Sequence, residues 1–196
     1  MIVSAELRWF WEGAAPAALE HWFVSSGPPP QEEPPRDDLY FLDPAQVELG
    51  LKRRDLQGSV EVKGLVRRAK DPVSAGAFSG HVEIWAKWTS PMLRLDSVPS
   101  LVVRKVRRLR RFDAEGSEVG EENLKEGCHL ELTEVSIEGR EGVWHTLGLE
   151  AYGSLDRVEL ILAQVLRRLD QSPEFEPGVE RSYPKWLAEA GGFEPP

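Results

Sequence analysis

Charged side chains recur at every second position in several stretches of this 196-residue chain, and that spacing limits the chemistry to be considered. Lys52 and Arg54, Glu61 and Lys63, and Lys105 and Arg107 are pairs of this kind, Glu83 and Lys87 stand four apart, and Glu131 and Glu150 lie in two similar stretches. Alternate residues of an extended strand share a face, so the members of each pair project the same way. On an open sheet such a face is simply solvated. In a closed barrel one face must turn inward, and buried charges persist only when paired, hydrated or bound to a ligand. A lumen mixing lysines and arginines with carboxylates suits a polyanion plus a divalent cation. Ammonium and guanidinium groups grip phosphate oxygens, while carboxylates hold Mg²⁺ or Mn²⁺.

Other chemistries find less support. His21, His81, His129 and His145 show no metal-type spacing, so zinc is not expected. The lone cysteine, Cys128, excludes an intramolecular disulfide framework and has only His129 beside it as an activating neighbour. The seven tryptophans read most simply as packing residues.

Net charge is −9, from 33 acidic and 24 basic side chains, so neither nucleic acid nor an anionic membrane is expected as a partner. Leu101–Arg111 (LVVRKVRRLRR) departs from that average, with six basic residues and no acidic one. No apolar run approaches the roughly 18 residues that span a bilayer. Glu6 and Arg8 interrupt the place where a signal peptide would need a continuous apolar segment. The expectation is a cytoplasmic protein.

The elements that would position these charges follow from period. Strict alternation predicts strands over Val3–Trp11, Val47–Arg54, Val60–Val66, His81–Trp88, Leu101–Phe112, Leu130–Val135 and Val143–Tyr152. Asp55–Ser59 reads as a hairpin loop, and Asp71–Gly80 and Asp113–Gly127 as longer loops. Ser25–Asp38 carries five prolines and reads as an exposed loop or flap. Ser154–Asp170 has apolar residues at helical spacing, with Ser154 as N-cap; Ala14–Phe23 and Pro184–Ala190 are shorter helices. The fold class expected is α+β, an antiparallel β-barrel flanked by a few helices, as one domain over residues 1–196.

Taken in order, these segments resemble the CYTH superfamily, the triphosphate tunnel metalloenzymes. YFLD at Tyr40–Asp43 followed by LGLKRR at Leu49–Arg54 is similar to that family's paired strands. VEVKG at Val60–Gly64 resembles the next strand, with Lys63 as its tunnel lysine. RKVR at Arg104–Arg107 resembles the later K-x-R strand, giving Lys105 and Arg107, and SYPKWL at Ser182–Leu187 resembles a closing helix. The resemblance implies metal ligands at Glu6 and Glu150, with Glu61, Glu83 and Glu131 as replacement ligands or as partners of lumen lysines. It implies phosphate binding by Arg8, Lys52, Arg54, Lys63, Lys87, Lys105 and Arg107. The departures sit in the acidic half. The first-strand E-x-E-x-K is Glu6-Leu7-Arg8-Trp9-Phe10 here, Gly148 stands where the later E-x-E has its first glutamate, and Thr133 replaces an acidic residue.

The functional expectation is a basic tunnel binding a triphosphate-bearing small molecule such as tripolyphosphate, thiamine triphosphate or a nucleotide. The resemblance further implies Mg²⁺- or Mn²⁺-dependent phosphohydrolysis, with the metal held at Glu6 and Glu150, as the activity to expect if the chain is an enzyme. The alternative is a catalytically degenerate module that senses or sequesters such a ligand. A third reading makes Leu101–Arg111 an exposed strand that engages RNA or an acidic protein. A homodimer is left open.

Overall fold

The computed structural model describes residues 1–43, 45–56, 58–120 and 124–191. In chain order the elements are β1 (Ile2–Glu12), α1 (Ala17–Ser25), β2 (Gln31–Glu32), β3 (Arg36–Phe41), β4 (Leu49–Arg53), β5 (Val60–Arg68), β6 (Val73–Ala75), β7 (Phe78–Gly80), β8 (Glu83–Ser90), β9 (Ser100–Phe112), β10 (Glu118–Val119), β11 (Gly127–Ile137), β12 (Trp144–Gly153), α2 (Val158–Leu169), β13 (Val179–Glu180) and α3 (Tyr183–Ala190). All seven long strands expected from alternation are present.

Eight of these strands form a closed antiparallel ring. From β9 the order runs β11, β12, β1, β8, β5, β4 and β3, and β3 pairs back onto β9 through Arg36↔Lys105 to Phe41↔Ser100. The short strands β2 and β10 continue along the same edge of β9 beyond β3. Closure gives every strand an inner and an outer face, and the alternation in the sequence sorts the side chains between them.

The outer faces of β1, β11 and β12 carry Leu7, Trp9, Leu130, Leu132, Leu147 and Leu149, all buried. They join one apolar cluster with Val158, Ile161, Leu162, Val165 and Leu169 of α2. Helix α2 begins a turn later than the sequence suggests. Its N-cap is Arg157, not Ser154. Ser154 instead gives its carbonyl to the Arg157 and Val158 amides and its hydroxyl to Glu126. Helix α1 lacks a side-chain cap and is held from the barrel: Arg110 donates to the Phe23 carbonyl at 2.9 and 2.7 Å, and Arg108 pairs with Glu20 at 2.8 Å. Arg110 is therefore turned away from the lumen yet only 3% exposed, and also meets Glu118 of the 113–127 loop.

Three segments read as loops contain strands, the 113–127 loop contributing β10 at Glu118–Val119. Val73–Ala75 and Phe78–Gly80 form a separate hairpin. The Pro-rich stretch 25–38 is loop only in part, since Gln31–Glu32 pairs with β9 and β3 starts at Arg36. Part of the 113–127 loop and one residue of the 55–59 turn lie outside the described residues.

Inside the barrel one end is filled. Phe10, Tyr40, Val103, Val135 and Ile137 pack there with Trp186 and Leu187 of α3, and Phe10 stacks on Trp186 at 4.9 Å. No helix among the described residues is long and apolar enough to cross a membrane.

Candidate anion-binding site

The rest of the lumen is a cavity of about 450 Å³. Its wall holds eight lysines and arginines against four glutamates. Exposed Met1, Ile2 and Arg54 stand at its mouth. Arg8, Lys105, Tyr40 and Glu131 are each 8% exposed or less and form its depth. The register makes this convergence inevitable. Glu6 and Arg8 on β1 face Glu150 and Gly148 on β12, Lys63 on β5 faces Lys87 on β8, and Arg107 on β9 faces Thr133 on β11.

Three groups of ion pairs divide the wall. In the first, the Glu6 carboxylate accepts from Ser4 Oγ at 2.6 Å and from Lys63 Nζ at 2.5 Å, and meets Lys87 Nζ at 3.0 Å. Lys87 also pairs with Glu150. Burial alone would raise the Glu6 and Glu150 carboxyls, but the lysines prevail. Glu6 falls below the usual range through Lys63 and Lys87, and Glu150 is pulled to about 2, chiefly by Lys87. Lys87, whose ammonium burial disfavours, is nonetheless raised by Glu150 and Glu6. Here two carboxylates balance two ammonium groups.

In the second group Glu131 receives Arg8 at 3.1 Å and Arg107 at 3.2 Å, and Arg107 also meets Glu33 from the Pro-rich stretch. Burial opposes the charge on Glu131, yet Arg8 and then Arg107 hold its carboxyl well below the usual range. The Arg8 guanidinium lies 4.8 Å from the centre of the Tyr183 ring.

The third group carries the surplus. Asp38, fully buried, is shared by Arg36 at 2.9 Å, Lys52 at 3.3 Å and Lys105 at 3.4 Å. Lys52 and Arg54 also share Glu61. Lys105 Nζ donates to the Tyr40 hydroxyl at 2.5 Å and lies 4.1 Å from the Tyr183 ring centre. Burial, and after it the neighbouring Lys52, pushes the Lys105 ammonium well below its ordinary value. Burial likewise lowers Lys52, offset only in part by Asp38 and Glu61. An anion brought to this side would relieve both.

The seven basic residues expected from the sequence, Arg8, Lys52, Arg54, Lys63, Lys87, Lys105 and Arg107, all line this cavity. Of the five carboxylates named as candidate ligands, Glu6, Glu61, Glu131 and Glu150 line it too. Glu83 does not; Arg68 and the Trp85 indole N–H, at 3.1 Å, hold it apart. Among the described residues no group of three His, Cys, Asp or Glu side chains is placed to hold a metal ion. Each lining carboxylate already carries a lysine or arginine, and Lys87 stands between the facing Glu6 and Glu150. A divalent cation placed there would meet an ammonium group at contact distance, so this donor set does not fit Mg²⁺ or Mn²⁺.

Arg36, Asp38 and Tyr183 belong to the site and were not singled out from the sequence. Arg36 and Asp38 sit at the end of a proline-dominated stretch, where their two-residue spacing with Tyr40 was the available signal. Tyr183 reaches the lumen from the helix that plugs it. Cys128 points into the apolar cluster outside the barrel, fully buried, and burial pushes its thiol up. It is not a nucleophile of this cavity.

No protein-family model and no curated protein matches the chain. Among solved structures, one of HpAC1 from Hippeastrum, a protein assigned as an adenylyl cyclase and described as revealing a dominant triphosphatase activity, is similar over 100% of this chain and 98% of that one. The sequence identity is 15% and the TM-score 0.42. At that level of likeness, the functional reading rests on the chain's own register and side chains.

Proposed function

We propose that the barrel binds a small molecule bearing a polyphosphate group, held in the lumen by Arg36, Lys52 and Lys105 on one side and by Arg8 and Arg107 below. The observation that carries this reading is the excess of cations on one side of the wall, where Arg36, Lys52, Arg54 and Lys105 share only Asp38 and Glu61. A solvated sheet face would let such charges spread apart; here burial concentrates them and only a bound anion would complete their pairing. The cavity also falls within the roughly 300–1,000 Å³ typical of small-molecule sites. Sequestration or sensing, without hydrolysis, fits a wall whose carboxylates are all engaged by lysine or arginine.

Calorimetric titration with tripolyphosphate, thiamine triphosphate and ATP tests binding, and orthophosphate release on the same samples tests turnover. Saturable binding without release above blank is the expected result. Absence of binding for all three sinks the proposal, and sustained release in the presence of Mg²⁺ replaces it with a phosphohydrolase. Lys52→Ala combined with Arg107→Ala removes two charge-assisted contacts, expected at about 1.5–3 kcal/mol each; unchanged affinity would remove these two from the site.

A further inference from the structure

Arg8 and Gly148 face each other across the β1–β12 pairing. A Cβ at position 148 would lie 2.4 Å from the guanidinium carbon and 2.4 and 2.6 Å from its two terminal nitrogens. Only glycine leaves room for that head group. Arg8 is then fixed from three directions: Glu131 at 3.1 Å, Thr146 Oγ1 at 3.4 Å, and the Tyr183 ring at 4.8 Å. It is 8% exposed and, as an arginine, keeps its charge at every working pH. The facing carboxylates that could otherwise recruit a cation, Glu6 and Glu150, are engaged by Lys63 and Lys87.

We infer that this lumen binds phosphate groups without a divalent cation, the Arg8 guanidinium seated over Gly148 supplying a fixed positive charge in its depth. The inference rests on the anion-binding reading above and adds to it the source of that fixed charge. A bridging metal would be redundant beside Arg8 and repelled by Lys63 and Lys87. The residue pair works as a unit, because the arginine needs the vacant side-chain position opposite.

The test is titration of the full chain with tripolyphosphate in excess EDTA and, separately, in millimolar Mg²⁺. Affinity in EDTA equal to or tighter than that in Mg²⁺ is expected, since Mg²⁺ complexes free tripolyphosphate and adds no contact in the lumen. Binding seen only with Mg²⁺ overturns the inference and leaves the anion site standing; no binding in either buffer overturns both, a distinct result. Gly148→Ala, which must drive the guanidinium from its seat, is expected to weaken tripolyphosphate binding by about tenfold or more. Wild-type affinity in that variant overturns the role given to Arg8. Should Gly148→Ala fail to fold, the wild-type comparison with and without Mg²⁺ still decides the metal question, and Arg8→Lys, which keeps the charge and loses the fork, is expected to weaken tripolyphosphate binding severalfold, wild-type affinity overturning the role given to Arg8.

Discussion

The two faces of β1, β11 and β12 are built from adjacent residues and obey opposite rules. Outward, Leu7, Leu132 and Leu149 pack against α2 with almost no exposure, and nothing there needs a partner beyond another apolar surface. Inward, Arg8 and Glu131 are nearly as hidden from bulk solvent while Glu150 is partly exposed, and each depends on one or two specific opposite charges. Non-directional burial supplies stability, whereas a buried ion pair roughly breaks even and is costly only when halved. The comparison teaches that the outer face holds the ring together so that the inner face can keep charges no freely folding core would retain.

The sharpest way to break this contrast is Glu131→Gln, which strands Arg8 and Arg107 without their shared carboxylate. A loss of about 3–5 kcal/mol is expected in urea denaturation; a near-neutral result would show that water already solvates the pair. Leu162→Ala, on α2 and 1% exposed, is expected to cost about 2–5 kcal/mol by the same measurement, and to leave tripolyphosphate affinity unchanged. Reduced affinity there would mean that the two faces are not independent.

Acid distinguishes the faces too. Glu6, Glu61, Glu131, Glu150 and Asp38 all have carboxyls lowered in the folded state, Glu150 to about 2. Their contribution is therefore complete above the unfolded carboxylate range, near pH 4.5, and is lost as pH falls toward about 2. Melting temperature should drop across that window, and Glu150→Gln should make the drop shallower. An equal slope in the variant would place the acid sensitivity elsewhere. The smallest effect is expected from Arg67→Ala, whose partner Glu159 is 44% exposed: a surface pair contributes about 0–1 kcal/mol, so the melt should barely move.

Much of the ring was legible because alternation is local. Lys52 and Arg54, or Lys105 and Arg107, announce a shared face within three residues, and closure then has only one inside to offer. What escaped was either disguised or distant. Pro34 and Pro35 hide the onset of β3, and with it Arg36 and Asp38. The glycines at 76 and 80 make the small β6–β7 hairpin look like loop. Arg8 and Gly148 look like two unrelated losses in sequence; the register, which brings residues 140 apart into opposition, shows that one makes room for the other. Which carboxylate claims which lysine is likewise a matter of pairings between distant strands, and no window of sequence contains it.

Ring closure also sets an order of events for a nascent chain. Strand β1 finds one neighbour in β8, but its other long neighbour is β12, ending at Gly153. The strand that seals the circle through β3, β9, is likewise separated from its mate by some sixty residues. Until synthesis has passed that point, β1 keeps a bare hydrogen-bonding edge, the kind that invites pairing with a foreign chain. A barrel assembled from such distant mates belongs among the slow folders.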